Sequence, residues 1–289
     1  MLDEKLIELI TEEVVRQLQK SGYQVPRQSY TPQETQVERE DITSAACKAK
    51  PLLKEPEDRA ALERMKRATG ARIGVGRVGP RLNTQTMLAM RADHAKARDA
   101  VFTDVDPALT NRLGLMSVQT MCDCKDTYVT RPDLGRKLSD EAVQELKSRC
   151  VLNPDVQIFA ADGLSSSAVE ANAEKILPIL VDGLQAKGLK VGTPFFLRFG
   201  RVGAEDHVAE VLGAKVVCVL IGERPGLATA ESMSAYIVYN AYVGMPEAKR
   251  TVVSNIHKNG LSAVEAGAYI VDVIEKILEQ KASGVDLKK

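Results

Sequence analysis

After Asn153-Pro154 the chain alternates short, continuous apolar runs with longer amphipathic stretches, and this alternation limits the fold more than any other feature. The runs Val156–Ala161, 193–199, Val216–Gly222, 235–239 and Thr251–Ile256 read as strands, and 165–187, Ala204–Leu212 and 262–279 read as helices. Strands that are apolar throughout must be covered on both faces, which calls for parallel pairing with crossover helices. The expected fold class is therefore α/β: a doubly wound, mostly parallel, Rossmann-like sheet in the C-terminal half, 151–289. In such sheets ligands bind beyond the carboxyl ends of the strands, where the strand order reverses. Four loops fall there: Asp162-Gly163-Leu164-Ser165, Gly200-Arg201-Val202-Gly203, Gly222-Glu223-Arg224-Pro225-Gly226 and Asn255-Ile256-His257-Lys258-Asn259-Gly260. All are rich in glycine or polar groups.

Upstream the pattern differs. Residues 55–150 read as mainly helical and irregular, with 84–97 and 139–150 the clearer helices; Ser139 can cap the second, whose inner face is Val143, Leu146 and Cys150. The polar stretch Tyr128 to Arg136 exceeds what a turn requires, and the pattern assigns no role to its Thr130 to Arg136 loop. In the first 22 residues Leu6, Leu9, Ile10, Val14 and Leu18 form one apolar stripe on a helix ending near Gly22. Residues 23–54 contain Pro26, Pro32 and Pro51 with little apolar spacing and read as a linker. The helix is either a docking peptide or a terminal helix folded back on its own domain.

Composition removes several function classes. The 39 Lys and Arg against 39 Asp and Glu give no basic surplus, and with 4% aromatic residues and no Trp the chain lacks base-stacking platforms, so no nucleic-acid partner is expected. The longest apolar run, 216–221, has six residues; a membrane span needs about 20, and no membrane partner is expected. The charged start Met1-Leu2-Asp3-Glu4-Lys5 does not resemble an export signal. Five cysteines without a repeating framework suit a reducing compartment. A net charge of zero gives little colloidal repulsion and fits a chain that associates with a partner.

Individual motifs yield few chemical candidates. Gly74-Val75-Gly76-Arg77-Val78-Gly79 matches G-x-G-x-x-G, but no apolar strand precedes it and no βαβ unit follows, so a glycine turn is the better account than a dinucleotide site or a dehydrogenase. His94, His207 and His257 are far apart in sequence, and Cys122-Asp123-Cys124 lacks the spacing of redox or zinc pairs, so no metal site is expected. Ser165 reads as a helix cap. Asn255-Ile256-His257-Lys258-Asn259-Gly260 approaches the D-x-H-x-x-G pattern by which some cobalamin proteins offer a histidine to cobalt. Asn255 removes the carboxylate that would orient the imidazole, and too little chain follows to wall a pocket for a displaced nucleotide tail. His257 reads as a turn histidine.

Six ordered segments carry a resemblance: Gly76-Arg77-Val78-Gly79-Pro80-Arg81, Thr130-Arg131-Pro132-Asp133-Leu134-Gly135-Arg136, Asp162-Gly163-Leu164-Ser165, Val191-Gly192-Thr193-Pro194-Phe195-Phe196, Gly222-Glu223-Arg224-Pro225-Gly226-Leu227 and Ser254-Asn255-Ile256-His257. Together, from about Arg72 to Lys289, they resemble the ethanolamine ammonia-lyase small-subunit family. The resemblance implies an α/β subunit that pairs with a large TIM-barrel subunit and shares with it an adenosylcobalamin cofactor. It places the conversion of ethanolamine to acetaldehyde and ammonia in the large subunit, so no catalytic residue is expected here. It also implies cofactor contacts at Val202, Glu223 and Val252, the last at a position where relatives often carry Cys, and it keeps cobalamin's own base on cobalt, so His257 is not expected as axial ligand. Ethanolamine pathways of this kind are commonly enclosed, which makes the N-terminal helix a candidate for targeting to a bacterial microcompartment shell. The alternative is a non-catalytic scaffold or assembly protein with a vestigial α/β domain.

Overall fold

Side-chain parity along the strands dictates a sheet with two buried faces. A computed structural model describes residues 4–21, 41–42 and 44–288. The chain divides into two units, Met1–Glu40 and Asp41–Lys289. Within the first, α1 spans Glu4–Lys20, and Leu9, Ile10, Val14 and Leu18 are exposed along it. The expected helix end near Gly22 and most of the expected linker, 23–40, lie outside the described residues.

The second unit contains α2 (Ala45–Ala49), α3 (Arg59–Ala68), β1 (Arg77–Val78), β2 (Arg81–Leu82), α4 (Thr84–Phe102), α5 (Pro107–Arg112), β3 (Met116–Gln119), α6 (Lys125–Thr130) and α7 (Asp140–Arg149). It continues through β4 (Val156–Ala161), α8 (Ser166–Ala186), β5 (Phe195–Arg198), α9 (Ala204–Leu212), β6 (Val216–Gly222), β7 (Met233–Tyr239), β8 (Thr251–Ile256) and α10 (Ala263–Gln280). The main sheet has six strands in the order β3-β5-β4-β6-β7-β8. Val156, Ile158 and Ala160 point to a core built with α8 and α10, whereas Phe159 and Ala161 point to one built with α7 and α9. Phe159 stacks on Phe195 with ring centroids 5.1 Å apart. Helices on both faces make the sheet doubly wound.

Two features depart from the sequence-based expectation. The region 55–150 contributes β3, which pairs parallel with β5 through Val118↔Leu197 and extends the sheet by one strand. Only Val118 of its four residues is buried, so it leaves almost no hydrophobic signature. Further, β3, β5, β4 and β6 run parallel, but β7 is antiparallel to β6 and β8 antiparallel to β7. No helix lies between β6 and β7, and without a crossover the chain can only return antiparallel. Two reversals bring β8 back to the direction of β6, so the ends of β4, β5, β6 and β8 share one edge. A further difference is α2, which Ser44 caps through the Cys47 N–H (3.1 Å) inside the stretch expected as linker, with Cys47 buried.

At that edge the chain packs backbone on backbone. Gly163 sits at φ +56°, where a Cβ would run into the Gly222 carbonyl oxygen, and the Leu164 N–H donates to that oxygen at 3.0 Å. Gly114 has φ +63° with open space around its Cα. Gly163→Ala should therefore combine about 1–2 kcal/mol of left-handed backbone strain with about 1–3 kcal/mol of overpacking, whereas Gly114→Ala carries the first cost alone. Urea denaturation of the two variants checks this, and equal losses would contradict the packing argument.

Candidate functional site

The strand order reverses around β4: the chain leaves it for β5 on one side and later returns to β6 on the other. The crevice between the ends of β4 and β5 is filled by groups of the chain itself. Asp162 follows β4, is 2% exposed, and its Oδ2 accepts from Lys125 Nζ of α6 at 2.9 Å, while Oδ1 accepts from the Gly200 N–H at 3.3 Å. Burial pushes the Asp162 carboxyl above its usual range, and Lys125 opposes that shift. Tyr128, fully buried, donates its hydroxyl to the Gly200 carbonyl at 3.2 Å. Arg201 lies over the Tyr128 ring, 4.1 Å from its centroid, and its Nη2 donates to the Tyr128 carbonyl at 2.7 Å. The Arg201 N–H in turn donates to the Gly135 carbonyl at 2.8 Å. The polar stretch from Tyr128 to Arg136, to which the sequence assigned no role, is the support beneath the loop after β5.

Val202 is the next residue in that loop. Its carbonyl accepts from the Glu205 N–H at 3.1 Å, while among the described residues no acceptor meets its own N–H. Val202 is half-buried, and its amide is left as a donor.

Glu223 leaves β6 on the α9 side of the sheet, half-buried, and its Oε1 accepts from the Tyr236 hydroxyl at 2.9 Å. Burial, together with the neighbouring Glu223 carboxyl, pushes the Tyr236 phenol up to about 12, so it stays protonated as the donor of this bond.

Val252 pairs with Tyr236 across β7 and β8 and is 45% exposed on the edge strand. An edge strand keeps a row of backbone groups that the sheet does not use. Glu223 and Val252 thus meet through one residue, Tyr236. Val202 and Tyr236 both pack against the core beneath α9.

A buried ion network ties these positions together. Arg250, just before β8, has a side chain 1% exposed; its Nη1 donates to Glu205 Oε2 at 3.1 Å and its Nη2 lies 2.9 Å from Asp206 Oδ1, both acids in the first turn of α9. Glu205 Oε1 also accepts from the Val219 N–H of β6 at 3.3 Å. One side chain therefore fixes the entry to β8, which carries Val252, against the helix start that follows Val202.

The fold provides the frame on which comparisons with known proteins can be placed. Residues 59–288 match the protein family described as Ethanolamine ammonia-lyase light chain (EutC). The chain belongs to this family. It is 58% identical over 248 residues to an ethanolamine ammonia-lyase small subunit of Clostridium tetani, covering 86% of this chain and 84% of that one. A Fusobacterium nucleatum small subunit is 56% identical over 249 residues, covering 86% and 84% of the two chains. One from Clostridium perfringens is 52% identical over 277 residues, 96% of this chain and 91% of the relative. The family match starts at α3, upstream of the Arg72 where the sequence resemblance was expected to begin.

The family match encloses Val202, Glu223 and Val252, and the remaining motif residues resolve as structural groups. Gly79 and Pro80 turn the small hairpin in which Arg77 pairs with Leu82, and Gly79 has φ +59°. Ser165 caps α8, accepting from the Ala168 N–H at 3.1 Å, and donates to the Ala230 carbonyl. Both ring nitrogens of His257 are engaged in its own turn: Nδ1 accepts from the Asn259 N–H at 3.3 Å, which leaves Nε2 to donate to Asn255 Oδ1 at 2.8 Å. His207 Nδ1 accepts from the Leu138 N–H at 3.0 Å. Among the described residues no three His, Cys, Asp or Glu side chains converge as a metal site, and no helix is long and apolar enough to cross a membrane.

Sequence reasoning missed Lys125, Tyr128, Tyr236 and Arg250. Their partners lie 13 to 73 residues away. The one available signal was the surplus polarity of the Tyr128 to Arg136 stretch.

Lys125→Met should expose the cost of the buried acid beneath. Burial raises the folded-state pKa of Asp162 above its unfolded value, so its contribution to stability is greatest below the unfolded pKa and is lost as pH rises toward the folded one. Without Lys125 the folded pKa rises further, and Lys125→Met should cost about 3–5 kcal/mol at neutral pH and less near pH 4. Urea midpoints from pH 4 to 8 check it; a pH-independent loss would show that Lys125 does not compensate Asp162.

Proposed function

We propose that this chain is the small subunit of an adenosylcobalamin-dependent ethanolamine ammonia-lyase, and that it holds the cofactor against a large subunit where ethanolamine is converted to acetaldehyde and ammonia. Family membership supports the activity, and the observation that carries the cofactor reading is the Glu223 carboxyl after β6, oriented by Tyr236, together with the Val202 N–H after β5, which meets no acceptor among the described residues. A corrin ring is a broad apolar disc whose rim bears amide side chains, so its surround needs both donors and acceptors.

The chain's residues fit that demand in kind. Val202 offers a main-chain donor to an amide carbonyl, Glu223 an acceptor for amide N–H groups, and Val252 an exposed apolar surface beside the free rim of an edge strand. When bound, the cofactor supplies the radical chemistry through its cobalt–carbon bond. The work of this chain is to bind and orient. Tyr236 holds Glu223 in place through the hydroxyl, and Arg201, clamped on Tyr128, sets the turn that presents Val202. Both imidazole nitrogens of His257 serve its turn, so the cofactor retains its own lower base.

Co-expressed with a family large subunit, the chain should release ammonia from ethanolamine only when adenosylcobalamin is added. A hydrogen bond to a charged group contributes about 1.5–3 kcal/mol, so Glu223→Ala should weaken cofactor retention by roughly 10–100-fold, whereas Glu223→Gln keeps an acceptor and should lose less. Full retention by a folded Glu223→Ala heteromer would remove the residue from the site. No cofactor retention by the unmodified heteromer would favour the scaffold reading.

The exposed stripe of α1 supports a second role, docking to a microcompartment shell. Deleting residues 1–22 should leave ammonia release intact while the enzyme no longer co-sediments with shells. Unchanged enclosure would defeat this assignment.

A further inference from the structure

Beside the loop after β6, the region upstream of the sheet forms a cleft of about 530 Å³, within the size range of small-molecule sites. Lys48 of α2, Lys66 of α3 and Arg72 line it together with Lys50, and among the described residues no carboxylate does. Asp93, behind the wall, pairs with Lys48 at 2.6 Å and also with Arg72. One buried acid thus faces two cations, and the Lys66 ammonium donates only to the Ile73 carbonyl, at 3.2 Å. Lys50 set aside, Lys48, Lys66 and Arg72 against the one carboxylate of Asp93 leave a surplus of two positive charges.

Two further observations point to a ligand. Thr86, on the first turn of α4, lines the cleft, is 2% exposed, and its hydroxyl has no hydrogen-bond partner among the described residues. Buried hydroxyls are nearly always paired, so an orphan one marks a place where an outside group completes the bonding. Leu52, Val75 and Leu227 give the lining an apolar part. Arg72 Nη2 also donates to the Leu227 carbonyl at 3.1 Å, joining the cleft to the β6–β7 connection that begins with Glu223.

We infer that this cleft is a binding site for the phosphoryl group of a small organic molecule, held by Lys48, Lys66 and Arg72, with its carbon body against Leu52, Val75 and Leu227. A carboxylate alone would satisfy one positive charge, whereas a phosphate monoester carries close to two. Among the described residues the Lys66 ammonium meets no carboxylate, and it dominates binding. The inference stands apart from the cofactor reading, because it needs only this chain.

Titrating the full chain with inorganic phosphate and with pyrophosphate by isothermal calorimetry tests it. One saturable site per chain is expected, weakening as ionic strength rises. Lys66→Met should weaken it at least tenfold, Lys66→Arg should retain it, and Thr86→Val should weaken it severalfold. Arg149→Gln, on the exposed face of α7 where Arg149 pairs with Glu145, should bind as the unmodified chain does. Absence of saturable binding by either probe, or unchanged binding in Lys66→Met, would overturn the inference.

The phosphoryl group has two possible sources, and competition in the heteromer separates them. If adenosylcobalamin displaces pyrophosphate while adenosylcobinamide, which lacks the phosphodiester nucleotide tail, does not, the cofactor supplies the group. If neither displaces it, a separate phosphorylated ligand does.

Discussion

Arg250 is the side chain on which the arrangement of the proposed site depends. It is buried among apolar strands, where a lone cation would be strongly disfavoured, and it persists because Glu205 and Asp206 approach it from the start of α9. A buried ion pair of this kind adds little net stability, yet losing one partner costs about 3–5 kcal/mol. Its structural effect is therefore to exclude alternatives: α9 cannot slide along the sheet, nor β8 shift its register, without stranding a charge. Val202 precedes that helix and Val252 follows that arginine, so their separation is set by the network and not by the loops that carry them.

A second polar anchor works at the other side of the same edge. Lys125 and Asp162 close the space between the ends of β4 and β5, beside the β4–β6 boundary at which the strand order diverges. Tyr128 and Arg201 then hold the loop after β5 from below. With that crevice occupied, the surface left for a ligand moves toward β6, β7 and β8, the strands that depart from parallel order. The antiparallel return is what brings Tyr236 beside both Glu223 and Val252, so the departure from a uniform Rossmann-like sheet and the position of the site have one cause.

The central strands and helices were legible in the sequence because each signal is local. Val216–Gly222 is a continuous apolar run, Val156–Ala161 is broken only by Gln157, and Thr251–Ile256 opens on Thr-Val-Val; each is followed by polar or glycine residues, and Ala204–Leu212 ends at Gly213 in the left-handed conformation that favours glycine. β3 was not legible, since a four-residue strand with one buried side chain is held by its neighbour's backbone and not by its own pattern. The direction of β7 was obscured because parallel and antiparallel central strands bury the same residues; only the short helix-free connection from Glu223 to Ser232 distinguishes them. The site residues were named by family resemblance and could not have come from periodicity, because Tyr236, Arg250 and Lys125 acquire their roles from partners that only the folded chain brings near.

The chemistry of these buried groups also limits what this edge can do. A general acid or base must exchange its proton with a substrate, so it has to be reachable and poised to change state. Asp162, Glu205 and Arg250 are instead enclosed, and each is held by another group of the chain. The Tyr236 phenol is pushed far above neutral pH. Groups so enclosed are held in place by their partners and present a fixed set of donors and acceptors. Rigidity at this edge, and not reactivity, is the trait that the buried charges produce, and it is the property that the proposed cofactor-holding role would require.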